Sequence, residues 1–236
     1  GAADVMSMLY EDMAVHCRFH GVLFQDDAYL GPNEDAHPEA LNIYSKYLKG
    51  DVRRPSTWSA RDKKLLVEIK TKQLNAFTET MMTAVRKYRP QAEFMRNLYA
   101  PVNIYPEQAY KFAQDYESAL ELYDYVTIMA YPELSEVSAP RKWLKHHVAA
   151  ARRYPGALDK TVFKIQSFDW EKRRWIEGDE LVSRIRRLVA TGARHVAYYP
   201  DDYTVNMPDL ELIKSEMSTR MTLFKKPPRP DVTRQY

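Results

Sequence analysis

Gly21-Val22-Leu23-Phe24-Gln25-Asp26-Asp27 decides how this chain is expected to fold. Three apolar residues are too few for a helix, and they run straight into two adjacent carboxylates. That is the pattern of a buried strand opening into a polar loop. Residues 4–19 before it read as a helix, because Met6, Leu9, Met13 and Cys17 recur at three- and four-residue steps. After it come a loop bearing Pro, Asn and Asp and a short helix near 37–48. A longer helix is predicted from Ser59, where Ser59 and Asp62 have capping-box spacing, to about residue 88, with Pro90 as the stop.

The alternation continues to the end of the chain. Strands are expected at 97–99, 125–129, 162–166 and 196–199, with helical stretches at 106–122, 140–154 and 179–191 between them. In the last of these, Leu181, Ile185, Leu188 and Val189 make one stripe, and Gly192 stands where a C′ glycine ends a helix. A final helix is expected at 209–217. Residues 225–236, with Pro227, Pro228 and Pro230, read as an extended or disordered tail.

Short strands, each separated by a helix, imply βα units and a parallel sheet. Residues 1–224 are therefore expected to form one α/β domain of about five βα units. A doubly wound sheet would accept five strands, but its phosphate-loop glycines are missing, and neither G-x-G-x-x-G nor G-x-x-x-x-G-K-[ST] is present. A full (β/α)₈ barrel takes about 250 residues. The expectation is a TIM-type barrel that is incomplete.

Composition removes several function classes. With 35 Lys and Arg against 32 Asp and Glu, the net charge of +3 is too small to argue for a nucleic-acid partner. The single cysteine, Cys17, excludes internal disulfides and any C-x-x-C metal or redox site. No apolar run approaches the roughly 20 residues that cross a bilayer. Residues 1–4 have neither the basic n-region nor the apolar h-region of a signal peptide, so the sequence reads as a processed or truncated piece of something longer. Serine-nucleophile motifs such as G-x-S-x-G are absent, and His16 and His20, spaced i,i+4, have no third ligand, so no metal or other cofactor is expected. His146 and His147 stand among Lys and Arg and read as solvated, as do the basic stretches 141–153 and 172–187.

In α/β barrels, chemistry collects at the C-terminal ends of the strands. Those positions here are Gln25, Asp26 and Asp27, then Tyr99, then Tyr131, then Gln166, Asp169 and Trp170, and finally Tyr198, Tyr199, Asp201 and Asp202. Carboxylates and aromatic rings round one mouth suit a carbohydrate: rings stack on sugar faces, and carboxylates protonate a glycosidic oxygen and stabilise an oxocarbenium ion. No basic side chain is expected at the same strand ends. Plainer roles exist for several of them. Glu34-Asp35 reads as a helix cap, Asp201-Asp202 as a turn, and Tyr198 and Tyr199 must point to opposite faces of their strand.

These motifs carry a resemblance. Gly21-Val-Leu-Phe-Gln-Asp-Asp-Ala-Tyr-Leu-Gly-Pro-Asn-Glu-Asp-Ala36 resembles a segment in the C-terminal domain of bacterial poly-β-1,6-N-acetyl-D-glucosamine N-deacetylases. Asn97-Leu-Tyr-Ala-Pro101, Tyr123-Asp-Tyr-Val-Thr-Ile-Met-Ala130, Leu158-Asp-Lys-Thr-Val-Phe163 with Gln166 and Asp169-Trp170, and Gly192-Ala-Arg-His-Val-Ala-Tyr-Tyr-Pro-Asp-Asp202 look like the same family in the same order. The resemblance implies a (β/α) barrel whose N-terminal strands are missing here, and an endo-glycoside hydrolase acting on partially de-N-acetylated poly-β-1,6-N-acetyl-D-glucosamine during biofilm exopolysaccharide processing and export. It further implies a periplasmic, outer-membrane-associated protein with an N-terminal deacetylase domain, whose metal site is not in this sequence, and an export porin as partner.

On this reading Asp26 and Asp27 are the expected catalytic pair, with Glu34 in reserve. One would be the general acid; the other would be either a nucleophile or a stabiliser of the substrate's own N-acetyl group. Both can act only if the strand has ended by Gln25, since neighbours on a strand point opposite ways. Tyr131, Trp170 and Tyr199 are the expected stacking residues, and Tyr99, Gln166, Asp169, Tyr198, Asp201 and Asp202 complete the substrate-binding set. The alternative is a non-catalytic module that holds the cationic polymer during export; a weaker one is a structural domain that binds a partner protein.

Overall fold

Five segments pair in sequence order into one parallel sheet. The computed structural model describes residues 1–217, so the expected tail at 225–236 and residues 218–224 lie outside it. Helix α1 (Ala2–His16) leads into β1 (Gly21–Phe24), then come α2 (Pro38–Ser45), α3 (Ala60–Arg86), β2 (Glu93–Tyr99), α4 (Ala100–Ile104), α5 (Tyr116–Leu122) and β3 (Tyr125–Met129). After α6 (Pro140–Ala151) and α7 (Ala157–Lys160) follow β4 (Thr161–Gln166), a small antiparallel hairpin of β5 (Phe168–Asp169) and β6 (Arg174–Trp175), α8 (Gly178–Ala190), β7 (His195–Tyr199) and α9 (Leu210–Met217). The sheet order is β1-β2-β3-β4-β7, and it curls into a half-barrel with helices outside.

Partners in register share a face, and faces alternate along each strand. Phe24 pairs with Arg96, Leu98 with Ile128, Ile128 with Phe163, and Ile165 with Tyr198. Phe24, Phe94, Leu98, Val126, Ile128, Phe163 and Ile165 therefore all turn toward the helices, where each is at most 6% exposed in the main core. Burying each such side chain contributes about 1.5–3 kcal/mol, so this row holds sheet to helices. The opposite, inner row carries Leu23, Asn97, Thr127, Lys164, Gln166 and Tyr199. Gly21 lets β1 begin close against β2, since a Cβ there would run into the Glu93 carbonyl oxygen.

Local signals place several boundaries. Ser59 Oγ accepts the Asp62 N–H at 3.1 Å while Asp62 accepts the Ser59 N–H at 3.2 Å, which is the capping box that starts α3. Gly192, at φ +104°, ends α8 as a C′ residue. The helix expected at 106–122 is instead two pieces, a 3₁₀ turn at Pro106–Lys111 and α5, and the short α4 precedes them. Asp115 restarts the last piece by accepting the Ser118 N–H at 2.8 Å, and Gln114 leaves helical geometry to accept the Tyr99 N–H at 2.9 Å.

Two solvated assignments are also corrected. His147 is fully buried beneath Trp143, with Nδ1 2.9 Å from Asn103 Oδ1, and burial pushes its pKa down to about 3. Arg184 is buried in a fork on Glu133.

Residues 25–59 leave the end of β1 as a long excursion with a small core of its own. Ala40, Tyr44, Leu48 and Trp58 pack there against Leu66 of α3. This excursion delivers the first group of candidate site residues.

Candidate active site

The β1 strand ends at Phe24, so Asp26 and Asp27 lie in a turn rather than on a strand. The alternation that would have forced them apart no longer applies. Arg96, reaching over from β2, donates to the Gln25 carbonyl at 3.1 Å and to the Ala28 carbonyl, and so clamps both ends of the turn. On the inner face, Asn97 Nδ2 donates to Gln25 Oε1 at 2.7 Å and lies 3.4 Å from Asp26 Oδ1. Asp26 is half-buried and Asp27 exposed.

The electrostatics separate the two carboxylates. Asp26 acts on groups from β2, β4 and the loop after β3. Burial first, and then the Asp26 charge, raise the pKa of Tyr99 and of Tyr131. Burial lowers the pKa of Lys164, and Asp26 opposes that shift. Asp27 is felt at Tyr99 as the weakest contribution. Asp26 is thus the hub and Asp27 stands at the rim.

Lys164 was not foreseen. It is 8% exposed on the inner face of β4, with Nζ 5.9 Å from the Tyr131 ring centroid and 5.5 Å from that of Tyr199. The expectation that no basic side chain lies at the strand ends is therefore wrong. The missed signal was available: Lys164 and Gln166 are the polar, alternate positions of an otherwise apolar strand, which is how an inward-facing row reads.

The aromatic residues divide. Trp170 stacks on Tyr199 at 6.3 Å between centroids and tilts over Tyr131 at 5.7 Å, and Trp170 and Tyr199 are both exposed on one side. Tyr99 is packed between Phe112 at 4.5 Å and Tyr29 at 5.6 Å. Tyr198, the register partner of Ile165, turns to the helices and does not line the mouth.

Several polar candidates are taken up by the protein itself. Gln166 accepts the N–H groups of Glu133 and Leu134 at 3.1 and 3.2 Å and donates to the Phe168 carbonyl at 2.9 Å, so it ties the loops after β3 and β4 together. Asp169 accepts the Lys172 N–H at 3.1 Å and pairs with the Lys172 ammonium at 3.4 Å; the first of these bonds is the main cause of its lowered pKa. Asp202 accepts from Thr204 Oγ1 and N inside its own turn, which lowers its pKa. Glu34 folds back on Gly31, accepting its N–H at 2.6 Å. Asp201 is exposed after β7.

What the fold brings together is Asp26, Asp27, Asn97, Tyr131, Lys164, Trp170 and Tyr199. Three buried polar atoms there, Asn97 Oδ1, Thr127 Oγ1 and Tyr131 Oη, have no partner within the protein. A cleft of about 1410 Å³ lies elsewhere, between α3 and residues 106–122 on the outer helical layer. It holds none of these residues. Among the described residues no group of three or more His, Cys, Asp or Glu is placed to hold a metal ion, and no helix is long and apolar enough to cross a membrane.

Comparison with known proteins bears on this geometry. The family model described as hypothetical glycosyl hydrolase family 13 matches residues 1–199. The chain belongs to that family. The poly-beta-1,6-N-acetyl-D-glucosamine N-deacetylases of Escherichia coli K12 and O157:H7 are each 32% identical to it over 220 residues, 91% of this chain. The chain spans 33% of their length. The solved glycoside hydrolase domain of PgaB (BpsB) from Bordetella bronchiseptica superposes with a TM-score of 0.83 at 32% identity, over 92% of this chain and 62% of that one. The curled parallel sheet is thus an incomplete TIM-type barrel like that of the Bordetella hydrolase domain, and the resemblance found in the sequence motifs holds.

Proposed function

We propose that this domain is an endo-acting glycoside hydrolase that cuts partially de-N-acetylated poly-β-1,6-N-acetyl-D-glucosamine. The observation that carries the reading is Asp26: a carboxylate at the mouth of the half-barrel, electrostatically linked to Tyr99, Tyr131 and Lys164 and flanked by the exposed face of Trp170 and Tyr199. The rings would hold a pyranose face while a carboxyl group serves as acid or stabilises positive charge at the anomeric carbon. The family and the Escherichia coli and Bordetella relatives support a polysaccharide substrate of this kind. By the same likeness the whole protein would work in the periplasm at the outer membrane, beside a deacetylase domain and an export porin.

The charge at the mouth favours amines at the rim and not at the floor. Asp27 and Asp201 are exposed and would attract protonated glucosamine, whereas Lys164 beneath them would repel it. Partially de-acetylated polymer should therefore be cut faster than fully acetylated polymer. The advantage should shrink once salt exceeds about 0.1 M, where the Debye length is about 10 Å. Product lengths from both polymers at low and high salt test this. Binding without any shortened product would favour the non-catalytic, polymer-holding alternative; equal rates on both polymers would remove the charge argument.

A further inference from the structure

We propose that the cleft between α6, α8 and α9 binds a terminal or free phosphate group, held by Arg187, Lys145 and Ser183. The cleft has a volume of about 600 Å³ and contains none of the residues at the mouth of the half-barrel. Asp179, Val182, Ser183, Arg186, Arg187 and Ala190 line it at three- and four-residue steps, so together they make one face of α8. Lys145 of α6 and Leu212 of α9 add to the lining.

Charge pairing along α8 leaves this face incomplete. Arg184 forks onto Glu133 and reaches Glu180 at 3.0 Å, and Arg186 donates to Glu216 at 2.9 Å. Among the described residues, Arg187 and Lys145 have no carboxylate partner, and Arg187 Nε is a buried donor with no acceptor. A buried N–H that nothing accepts is costly and rare in folded proteins, so this donor points to an acceptor from outside the chain. Ser183 stands one turn before Arg187, half-buried, with its hydroxyl unclaimed among the described residues. Asp179, in the same lining, acts on Arg186, which Glu216 already pairs.

The chemistry of these groups selects the ligand. A guanidinium offers neighbouring N–H groups side by side to two oxygens of one anion. The lysine ammonium adds a point charge, and the serine hydroxyl a further donor. A carboxylate ligand has a single charge and would leave one of the two cations unpaired. A phosphate monoester carries about 1.5 to 2 negative charges at pH 7 and has three strong acceptor oxygens, so it satisfies the whole set. Free phosphate and the terminal phosphate of a lipid headgroup share this chemistry.

Inorganic phosphate titrated into the whole chain at low salt should shift the Arg187 Nε–H resonance saturably. Arg187→Gln and Lys145→Gln should each weaken binding by about tenfold or more, the scale of losing one charged hydrogen bond. Arg187→Lys should not restore it, since an ammonium lacks the planar fork. Lys142→Gln, exposed on α6 outside the cleft, should bind like the unmodified protein, which separates a built site from diffuse positive charge. Lys145 is exposed, so Lys145→Gln keeps the test decisive if Arg187→Gln fails to fold. Vesicles of phosphatidylcholine with and without phosphatidic acid identify the source. Sedimentation with the phosphatidic acid vesicles alone, abolished by Lys145→Gln, supports a lipid phosphate; binding of inorganic phosphate without sedimentation supports a free one. No saturable binding in either arm, or equal weakening by Lys142→Gln, would overturn the site. None of these measurements uses the polymer, so the phosphate site stands or falls independently of the hydrolase reading.

Discussion

Replacing Asp26 by Asn is expected to lower polymer hydrolysis by about 10²-fold or more, the usual scale for losing a group that transfers or stabilises a proton. Asparagine keeps the size of the side chain and removes the charge that Tyr99, Tyr131 and Lys164 all sense. The turn itself is held through backbone carbonyls by Arg96, so folding should be little altered. Asp27→Asn should have a smaller effect, because Asp27 lies at the rim and touches this electrostatic network weakly. The measurement is initial rate on partially de-acetylated polymer, with Tm and far-UV circular dichroism as folding controls. Near-full turnover in Asp26→Asn, with loss in Asp27→Asn or Glu34→Gln, would transfer the central role to another carboxylate.

Arg184→Met should produce the largest loss of stability. Arg184 of α8 forks onto Glu133 in the loop after β3, with one arm at 2.9 Å, and its Nε donates to Glu180 at 3.0 Å. Removing one partner of a buried charge pair costs about 3–5 kcal/mol. The Glu133 side chain keeps 17% of its exposure, which argues for the lower end, about 3 kcal/mol. At about 2–4 °C per kcal/mol for a domain of this size, Tm should fall by about 6–12 °C. Tyr131 and Pro132 share that loop, so activity should fall too. The double variant Arg184→Met with Glu133→Leu should recover most of the Tm, because no charge is then left buried. If single and double variants melt alike, the ion pair is not what ties α8 to the mouth.

The sheet was legible because its determinants are local or periodic. The apolar runs at 22–24, 125–129, 162–166 and 196–199 all became strands, and the Ser59–Asp62 spacing and Gly192 marked helix ends through bonds that span three or four residues. Parallel pairing followed from helices lying between strands. Strand β2 was found only in its last residues, since Glu93 and Arg96 interrupt the apolar pattern in front of them. The hairpin of β5 and β6 is two residues per strand, too short for any period to show.

By itself, then, the amino-acid sequence determined that β and α segments alternate, that the sheet is parallel, and that Asp26, Tyr131, Trp170 and Tyr199 stand at strand ends. Which strand-end groups face the mouth was decided by tertiary structure. Asp169, Asp202, Glu34 and Gln166 read as site residues because a free carboxylate and one consumed by an N–H two or three residues away, or a carboxamide bonded to a loop more than thirty residues away, look alike in a string of letters. Conversely, Lys164 and Arg96 carry no motif. Their roles exist because register places Lys164 between two rings and because long-range packing buries Arg96 against backbone carbonyls of the β1 excursion. Desolvation and pairing depend on distance in space, and the neighbours that set them lie up to 138 residues apart, as Asp26 and Lys164 do.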